Sequence, residues 1–203
     1  MSPNDFYSAQ GRLIDADNGG TTAPTCLTGS SVCAHQTAAT SFWTNTAAGE
    51  GQALITSLNG GASATNLGNW LATVSPNLLG SLQGQTNAQI ASYIIKLNKG
   101  SSSQQSAAQV LATALAAYVT DSSLAGTVAS SYGFTVTACG TGVDNYNVGS
   151  CGAALGLSNN QLCSILTLLA ALDAESSNGV IGNSATNAAN TVCTAINKAG
   201  GIS

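Results

Sequence analysis

The sequence predicts a mainly α protein: a compact bundle of about six to seven helices with one β-hairpin, stapled by disulfides. Three observations support this fold class. Apolar residues recur at helical spacing through most of the chain after residue 41. The spacing changes to strict alternation at one place, about residues 134–148. Six cysteines, an even number, occur in 203 residues, a length that suits one domain or two small ones.

The first four predicted helices follow residue 41, and each carries an apolar face. Glycine and proline mark some of their ends: Asn59-Gly60-Gly61 stops the first helix and Pro76 the second. Thr86-Asn87 opens the third. The apolar faces are, in order, Leu54 and Leu58; Leu67, Trp70, Leu71 and Val74; Ile90, Tyr93, Ile94 and Leu97; and Val110, Leu111, Ala114, Leu115, Tyr118 and Val119.

A short helix is predicted over residues 124–131, and the hairpin follows it. Phe134-Thr135-Val136-Thr137 alternates between large and polar side chains, as does Tyr146-Asn147-Val148. Gly140-Thr141-Gly142 lies between these two runs. This pattern predicts two antiparallel strands over about residues 134–148.

Two further helices complete the predicted bundle. From Leu162 to Leu172 the apolar residues occur nearly all round the helix, which predicts a central, buried helix. The last helix, over about residues 185–198, has one small apolar face that includes Val192 and Ile196. We divide the chain into an irregular N-terminal arm with a cysteine loop, residues 1–40, and a helical domain with the hairpin, residues 41–203.

The cysteines suggest three bridges by their positions. These are Cys26–Cys33 in the arm, Cys139–Cys151 around the hairpin and Cys163–Cys193 between two helices, one of several connectivities that six cysteines allow. Each bridge is expected to stabilise the fold by about 2–4 kcal/mol. The alternative, reactive or metal-bound thiols, is less favoured because no cationic neighbour lowers their pKa and the chain has one histidine.

The chain carries very little charge, and this excludes several classes of function. Only 6% of residues are charged, the net charge is -4, and Lys and Arg together number 4. That is too few to neutralise a nucleic-acid backbone or to form a polybasic membrane patch. No apolar run of about 18 residues predicts a membrane span. Low Lys and Glu content together with six cysteines favours a secreted, extracellular or cell-surface protein.

Candidate contact residues are few. Trp43, Thr135 and Thr137 are the candidates for ligand or assembly contacts, although a core position is favoured for Trp43. Asp15, Asp17 and Asn18 form a weak calcium candidate, but no distal bidentate Glu follows at the right spacing, so a polar turn is the better interpretation. We expect no metal and no cofactor.

No constellation for catalysis stands out. His35 lies near Ser30 and Ser31, but a triad also needs an orienting carboxylate and an oxyanion site. Asp173 and Glu175 could form a carboxylate pair, yet at i and i+2 of a helix they point apart. We therefore expect that the protein is not an enzyme.

A series of sequence blocks resembles a C-terminal helical module of large bacterial secreted or cell-surface proteins, where it often lies beside immunoglobulin-like or adhesin-type repeats. The resemblance covers about residues 42–200 and implies location more than chemistry. Cys139, Cys151, Cys163 and Cys193 depart from that module, and residues 1–40 match no part of it. The blocks are Phe42-Trp43, Gly51-Gln52-Ala53-Leu54-Ile55, Leu67-Gly68-Asn69-Trp70-Leu71-Ala72, Thr86-Asn87-Ala88-Gln89-Ile90-Ala91, Val110-Leu111-Ala112-Thr113-Ala114-Leu115-Ala116, Ser131-Tyr132-Gly133-Phe134-Thr135-Val136-Thr137, Tyr146-Asn147-Val148-Gly149 and Ala195-Ile196-Asn197-Lys198-Ala199-Gly200.

Two functional hypotheses remain open on the sequence. The first is an extracellular structural or adhesive module that assembles with itself or packs on a cell-surface partner, as the subunit of a filament, sheath or surface layer. The second is a binding module for a neutral ligand such as a polysaccharide or ice. A surface of Ala, Ser, Thr, Asn and Gly offers little charge repulsion, which favours the first.

Overall fold

The computed structural model describes residues 6–7, 13–14, 31–47 and 49–203 of the chain. The described part of the chain is mainly helical, 63%, as the apolar spacing predicts. The α-helices are α1 (Thr40–Thr44), α2 (Glu50–Ser57), α3 (Asn66–Val74), α4 (Pro76–Leu79), α5 (Asn87–Asn98), α6 (Ser102–Val119), α7 (Ser122–Ala125), α8 (Ile165–Ala174) and α9 (Asn183–Ala199). The strands are β1 (Phe6–Tyr7), β2 (Leu13–Ile14), β3 (Asn145–Asn147), β4 (Leu162–Ser164), β5 (Ser176–Ser177) and β6 (Val180–Ile181).

The helix α6 is the centre of the bundle. Every residue from 111 to 120 is buried, so about the last two and a half turns of α6 are covered on all sides. Many of these residues are alanines, whose small side chains allow neighbouring helices to approach closely. The sequence predicts that the helix at α8 is central and buried, and this holds in part: Ile165, Leu168, Leu169 and Leu172 are buried in the core, but Leu166 is partly exposed and Thr167 is exposed.

The helix α9 packs along α6, and a buried polar contact fixes their register. Thr113 donates from Oγ1 to Oδ1 of Asn197 at 2.9 Å, and Asn197 donates from Nδ2 to the Gln109 carbonyl at 3.0 Å. Asn197 is 1% exposed, so its amide would be costly to bury without these partners. The pair therefore specifies which turn of α9 faces which turn of α6.

Local sequence signals position the starts of α5 and α6. Thr86 and Gln89 form a capping box, in which the Thr86 amide donates to Oε1 of Gln89 at 2.8 Å. Ser101 and Gln104 form the same arrangement before α6, at 2.9 Å. Pro76 lies beyond the end of α3, as predicted, and also occupies the first turn of α4, where its missing N–H costs nothing.

The predicted hairpin at 134–148 is wrong in its pairing. Strand β3 pairs antiparallel with β4, with Tyr146 opposite Cys163, and not with residues 134–137. The alternating run that includes Thr135 is extended but is bonded elsewhere, because the Thr135 amide donates to the His35 carbonyl at 2.7 Å. Leu162, which we assigned to a buried helix, lies in β4 and is 60% exposed.

A different hairpin, unanticipated from the sequence, joins β5 to β6. Asn178 and Gly179 form its two-residue turn, with φ of 50° and 79°. Positive φ at both positions is the geometry of a type I′ turn, for which Asn-Gly is the preferred dipeptide.

The predicted disulfide staples are wrong. No disulfide joins two cysteines within the part of the chain that the structure describes. Cys33, Cys151, Cys163 and Cys193 carry free thiols, so each predicted pair, 26–33, 139–151 and 163–193, contains at least one free cysteine. Cys26 lies outside the described residues. The hairpin that would have brought Cys139 to Cys151 does not form, and Cys163 lies in β4 and not on a helix.

The part of the arm from residue 31 to 40 is built into the helical domain. Thr37 and Ala38 are both 0% exposed, and Ala38 forms a parallel bridge with Ile202. The rest of the predicted arm lies mostly outside the described residues; there β1 and β2 pair antiparallel, with Phe6 opposite Ile14. None of the helices described above is long and apolar enough to cross a membrane.

Candidate functional site

Trp43 is part of the core and is not accessible as a contact. Its side chain is 0% exposed. It packs edge-on against Phe42, with ring centroids 5.0 Å apart, and lies 5.7 Å from the Phe134 ring. Its indole N–H has no hydrogen-bond partner, which is the cost of placing this large side chain in an apolar cluster. The candidate assignment of Trp43 to a ligand or assembly surface is therefore corrected.

Thr135 and Thr137 do lie on the surface, on either side of the half-buried Val136. Their backbone is already paired: the Thr137 amide donates to the Thr120 carbonyl at 2.9 Å, and the Thr137 carbonyl accepts from the Ser122 amide at 2.8 Å. This segment therefore has no free strand edge at Thr137 to offer a second chain. Any contact that it makes is through side chains.

Within residues 31–47 and 49–203, no Phe, Trp or Tyr side chain is exposed. Trp70, the second tryptophan, is half-buried and packs against the Tyr118 ring at 5.2 Å. A stacking platform for sugar rings needs an exposed aromatic face. The described domain does not present one.

Asp173 caps a helix and does not form a catalytic pair with Glu175. Asp173 is 6% exposed, and its Oδ1 accepts from the amides of Asn77 and Leu78, both at 2.9 Å. It therefore caps the start of α4 from 96 residues away. Glu175, its predicted partner at i+2, is half-exposed and takes no part in this contact.

Asp121 and Asp144 are two further buried acids, which sequence reasoning did not single out as a site. Asp121 caps α7 and accepts from the Ser123 amide at 2.9 Å. An Asp before a short run of Ser residues is a readable N-cap signal that we did not use. Burial raises the pKa of the Asp144 carboxyl above its ordinary value.

Two of the free thiols are buried and held in the protonated form. Burial raises the pKa of the Cys193 thiol to about 12, against the opposing effect of a hydrogen bond with the Thr113 side chain. Burial likewise raises the pKa of Cys163. Because the thiolate is the nucleophile, these two cysteines are suited to packing and not to covalent chemistry.

Metal binding has no support in the described part of the chain. No group of three or more His, Cys, Asp or Glu residues lies there in an arrangement that could hold an ion. The weak calcium candidate, Asp15, Asp17 and Asn18, lies outside the described residues. His35 is exposed and has a φ of 66°.

The outstanding property of the described surface is its neutrality. Eight Asp, Glu and Lys side chains fall within the described residues, and three of them, Asp121, Asp144 and Asp173, are buried. Five charged side chains therefore remain on the surface of a 173-residue region, 31–203, leaving aside residue 48. These five are Glu50, Lys96, Lys99, Glu175 and Lys198.

No family model, no curated protein and no solved structure matches this chain.

Proposed function

We propose that this protein is an extracellular structural or adhesive module that associates with copies of itself or packs on a neutral surface partner. The observation that carries the proposal is the surface with five charged side chains among its described residues. Mutual charge repulsion normally keeps soluble proteins apart, and here it is very weak. Two copies of such a surface can approach closely without desolvating ions.

The distribution of apolar side chains favours association through polar, neutral contacts. Among the described residues, the exposed large apolar side chains are Leu162 and Val180, 60% and 54% exposed. They lie in different strand pairs, β3–β4 and β5–β6. The contact surface is therefore expected to consist of Ser, Thr, Asn, Gly and Ala. Leu162 and Val180 are separate apolar side chains within it.

The second hypothesis, a binding module for a neutral polysaccharide, is weaker on this structure. Sugar rings are commonly held on exposed aromatic faces, and the described helical domain has none. An extracellular location is part of the proposal for either function, and the low Lys and Glu content of the chain favours it. We retain self-association as the proposal.

The proposal is tested by adding charge at the two exposed side chains Thr135 and Thr137. In the double variant Thr135→Glu, Thr137→Glu, two like charges face any contacting copy, and we expect the sedimentation coefficient of the full chain to fall toward that of a monomer. The matched control is Asn187→Glu, Thr191→Glu on the exposed face of α9, which adds the same charge elsewhere.

Three outcomes have a defined meaning. Loss of association in the first variant alone assigns the contact to residues 134–137. Equal loss in both variants supports association through a generally neutral surface. A wild-type chain that already sediments as a monomer at every concentration contradicts self-association.

A further inference from the structure

The two ends of the described domain are joined side by side in a parallel arrangement that we call the terminal clasp, residues 33–39 against residues 196–202. The His35 amide donates to the Gly200 carbonyl at 2.7 Å, and the Ala39 amide donates to the Ile202 carbonyl at 2.8 Å. Ala38 and Ile202 form a parallel bridge. Both segments thus run in the same direction.

Thr37 is the centre of the terminal clasp. Its hydroxyl donates to the Ile196 carbonyl at 2.6 Å and accepts from the Gly200 amide at 2.9 Å. The side chain is 0% exposed, so water cannot replace these bonds while the domain is folded. One buried hydroxyl therefore holds the arm to the last turn of α9.

Gly200 allows this close approach. A Cβ at residue 200 would overlap the Thr37 backbone, so only glycine lets the two segments lie this near to each other. The Thr135 amide holds the clasp from a second side, through its bond to the His35 carbonyl at 2.7 Å.

From this geometry we infer that the terminal clasp is a mechanical lock, which resists tension applied along the chain at the two ends of the domain. In a parallel pair, His35 lies beside Gly200 and Ala39 lies beside Ile202. Tension toward residue 31 pulls the segment 33–39 in one direction along the pair. Tension toward residue 203 pulls the segment 196–202 in the opposite direction. The backbone bonds and the Thr37 bonds are then loaded together in shear, and are not peeled one at a time.

The inference goes beyond the proposed function, because it concerns the domain's own response to force and not what the domain contacts. It gives a structural or adhesive module a property that such a module needs when it is held at both ends. The two proposals are tested separately, because sedimentation measures association without any applied force. A negative result in the force experiment therefore does not count against self-association.

The experiment is single-molecule unfolding of the full chain, fused between two handle domains and held at constant force in reductant. The test variant is Thr37→Ala. Its matched control is Thr120→Ala, since the Thr120 hydroxyl is also buried, donates to the Ala116 carbonyl at 2.7 Å and accepts from the Thr141 amide at 2.8 Å. Thr120 lies at the end of α6, outside the clasp.

The lock predicts that T37A unfolds about tenfold faster than wild type under load, since its two buried bonds resist the rate-limiting rupture. T120A is expected to lose similar stability in denaturant but to keep a rate near wild type under load. T37S retains the hydroxyl and is expected to restore the wild-type rate. Equal acceleration in T37A and T120A, or none in T37A, overturns the inference.

A second variant keeps the test decisive if T37A does not fold. A chain ending at Gly201 lacks the bond between the Ala39 amide and the Ile202 carbonyl while Thr37 stays in place. This variant is expected to unfold faster than the full chain under load. An unchanged rate would show that the clasp does not bear the force.

Discussion

At the scale of single residues, the buried polar groups of this protein organise the fold. Asp173 caps α4, Thr37 joins the arm to α9, and Asn197 fixes the register of α9 on α6. Each of these side chains satisfies backbone or side-chain groups that would otherwise be buried without a partner. The chain has few charged residues, so these buried hydrogen bonds, and not surface ion pairs, hold its segments together.

Replacing Asp173 is expected to destabilise the fold. Asp173→Ala leaves two amides at the start of α4 without their acceptor, which costs about 2 kcal/mol. Urea unfolding followed by circular dichroism measures the change. The control Glu175→Ala, on a half-exposed side chain, is expected to stay within about 0.5 kcal/mol of wild type. Equal costs for the two variants would contradict the capping role.

Alkaline pH is expected to destabilise the protein through Cys193 and Tyr118. Burial raises the pKa of each to about 12, from ordinary values of 9.0 and 10.0. The folded chain therefore keeps protons that the unfolded chain releases. The stability that these groups provide is fully present below about pH 9 and falls as the pH rises toward 12.

The variant Cys193→Ala isolates the thiol's part of this effect. Between pH 9 and 12, its unfolding free energy is expected to fall less steeply than that of wild type, by at most about 1.4 kcal/mol per pH unit. Denaturant titrations at several pH values measure the two slopes. Identical slopes would show that the thiol does not titrate differently in the folded and unfolded chains.

Some residue roles could be predicted from the sequence and others could not. The capping box of Thr86 and Gln89 is a local signal, three residues apart, and the burial of Trp43 agrees with its favoured core position. The role of Asp173 depends on Asn77, 96 residues away, and no spacing rule connects them. Thr135 and Thr137 are exposed, as an alternating pattern suggests, but their role in contacts stays a prediction.

At the scale of elements, close helix packing depends on a few glycines. Gly51 lies buried in α2, where a Cβ would overlap the Phe42 carbonyl and lie 2.8 Å from Cα of Trp43. This explains why α1 and α2 can cross with their backbones in contact. Hydrophobic periodicity finds such helices but does not show which glycine sits at a crossing.

Gly51→Ala is expected to destabilise the protein by about 1–3 kcal/mol, since the added methyl group must push α1 away from α2. Gly80→Ala is the control: Gly80 has a φ of -58°, and nothing lies within 4 Å of a Cβ there. It is expected to stabilise by about 0.4–1 kcal/mol through the unfolded state. Thermal melts of both variants measure the changes, and a neutral G51A would contradict the close crossing.

Strand pairing was the least predictable feature of the elements. The run Tyr146-Asn147-Val148 is predicted as a strand and overlaps β3 (Asn145–Asn147), but the partner of β3 is β4 and not the nearer run at 134–137. Alternation gives the face of a strand, whereas the partner is decided by tertiary packing. The dipeptide Asn178-Gly179 is a local signal for a hairpin turn. The flanking strands, Ser176–Ser177 and Val180–Ile181, are too short to show an alternating apolar pattern, so the hairpin was not predicted.

At the scale of the whole molecule, the fold is held by a single apolar core around α6. The sequence predicted a mainly helical domain, but it assigned stability to disulfides that the free thiols Cys33, Cys151, Cys163 and Cys193 exclude. An even count of cysteines carries no information on distance. Burial of two of the four thiols, Cys163 and Cys193, shows instead that they act as small apolar side chains.

We propose that this neutral surface associates with itself. Sedimentation velocity of the full chain over a wide concentration range, at low and at high salt, measures that association. A parallel chain starting at Ser31 keeps the terminal clasp and separates the part played by residues 1–30. We expect species larger than a monomer, and we expect their dissociation constant to change little with salt because few ion pairs contribute. A chain that stays strictly monomeric, or an oligomer that dissociates as salt is added, would contradict it.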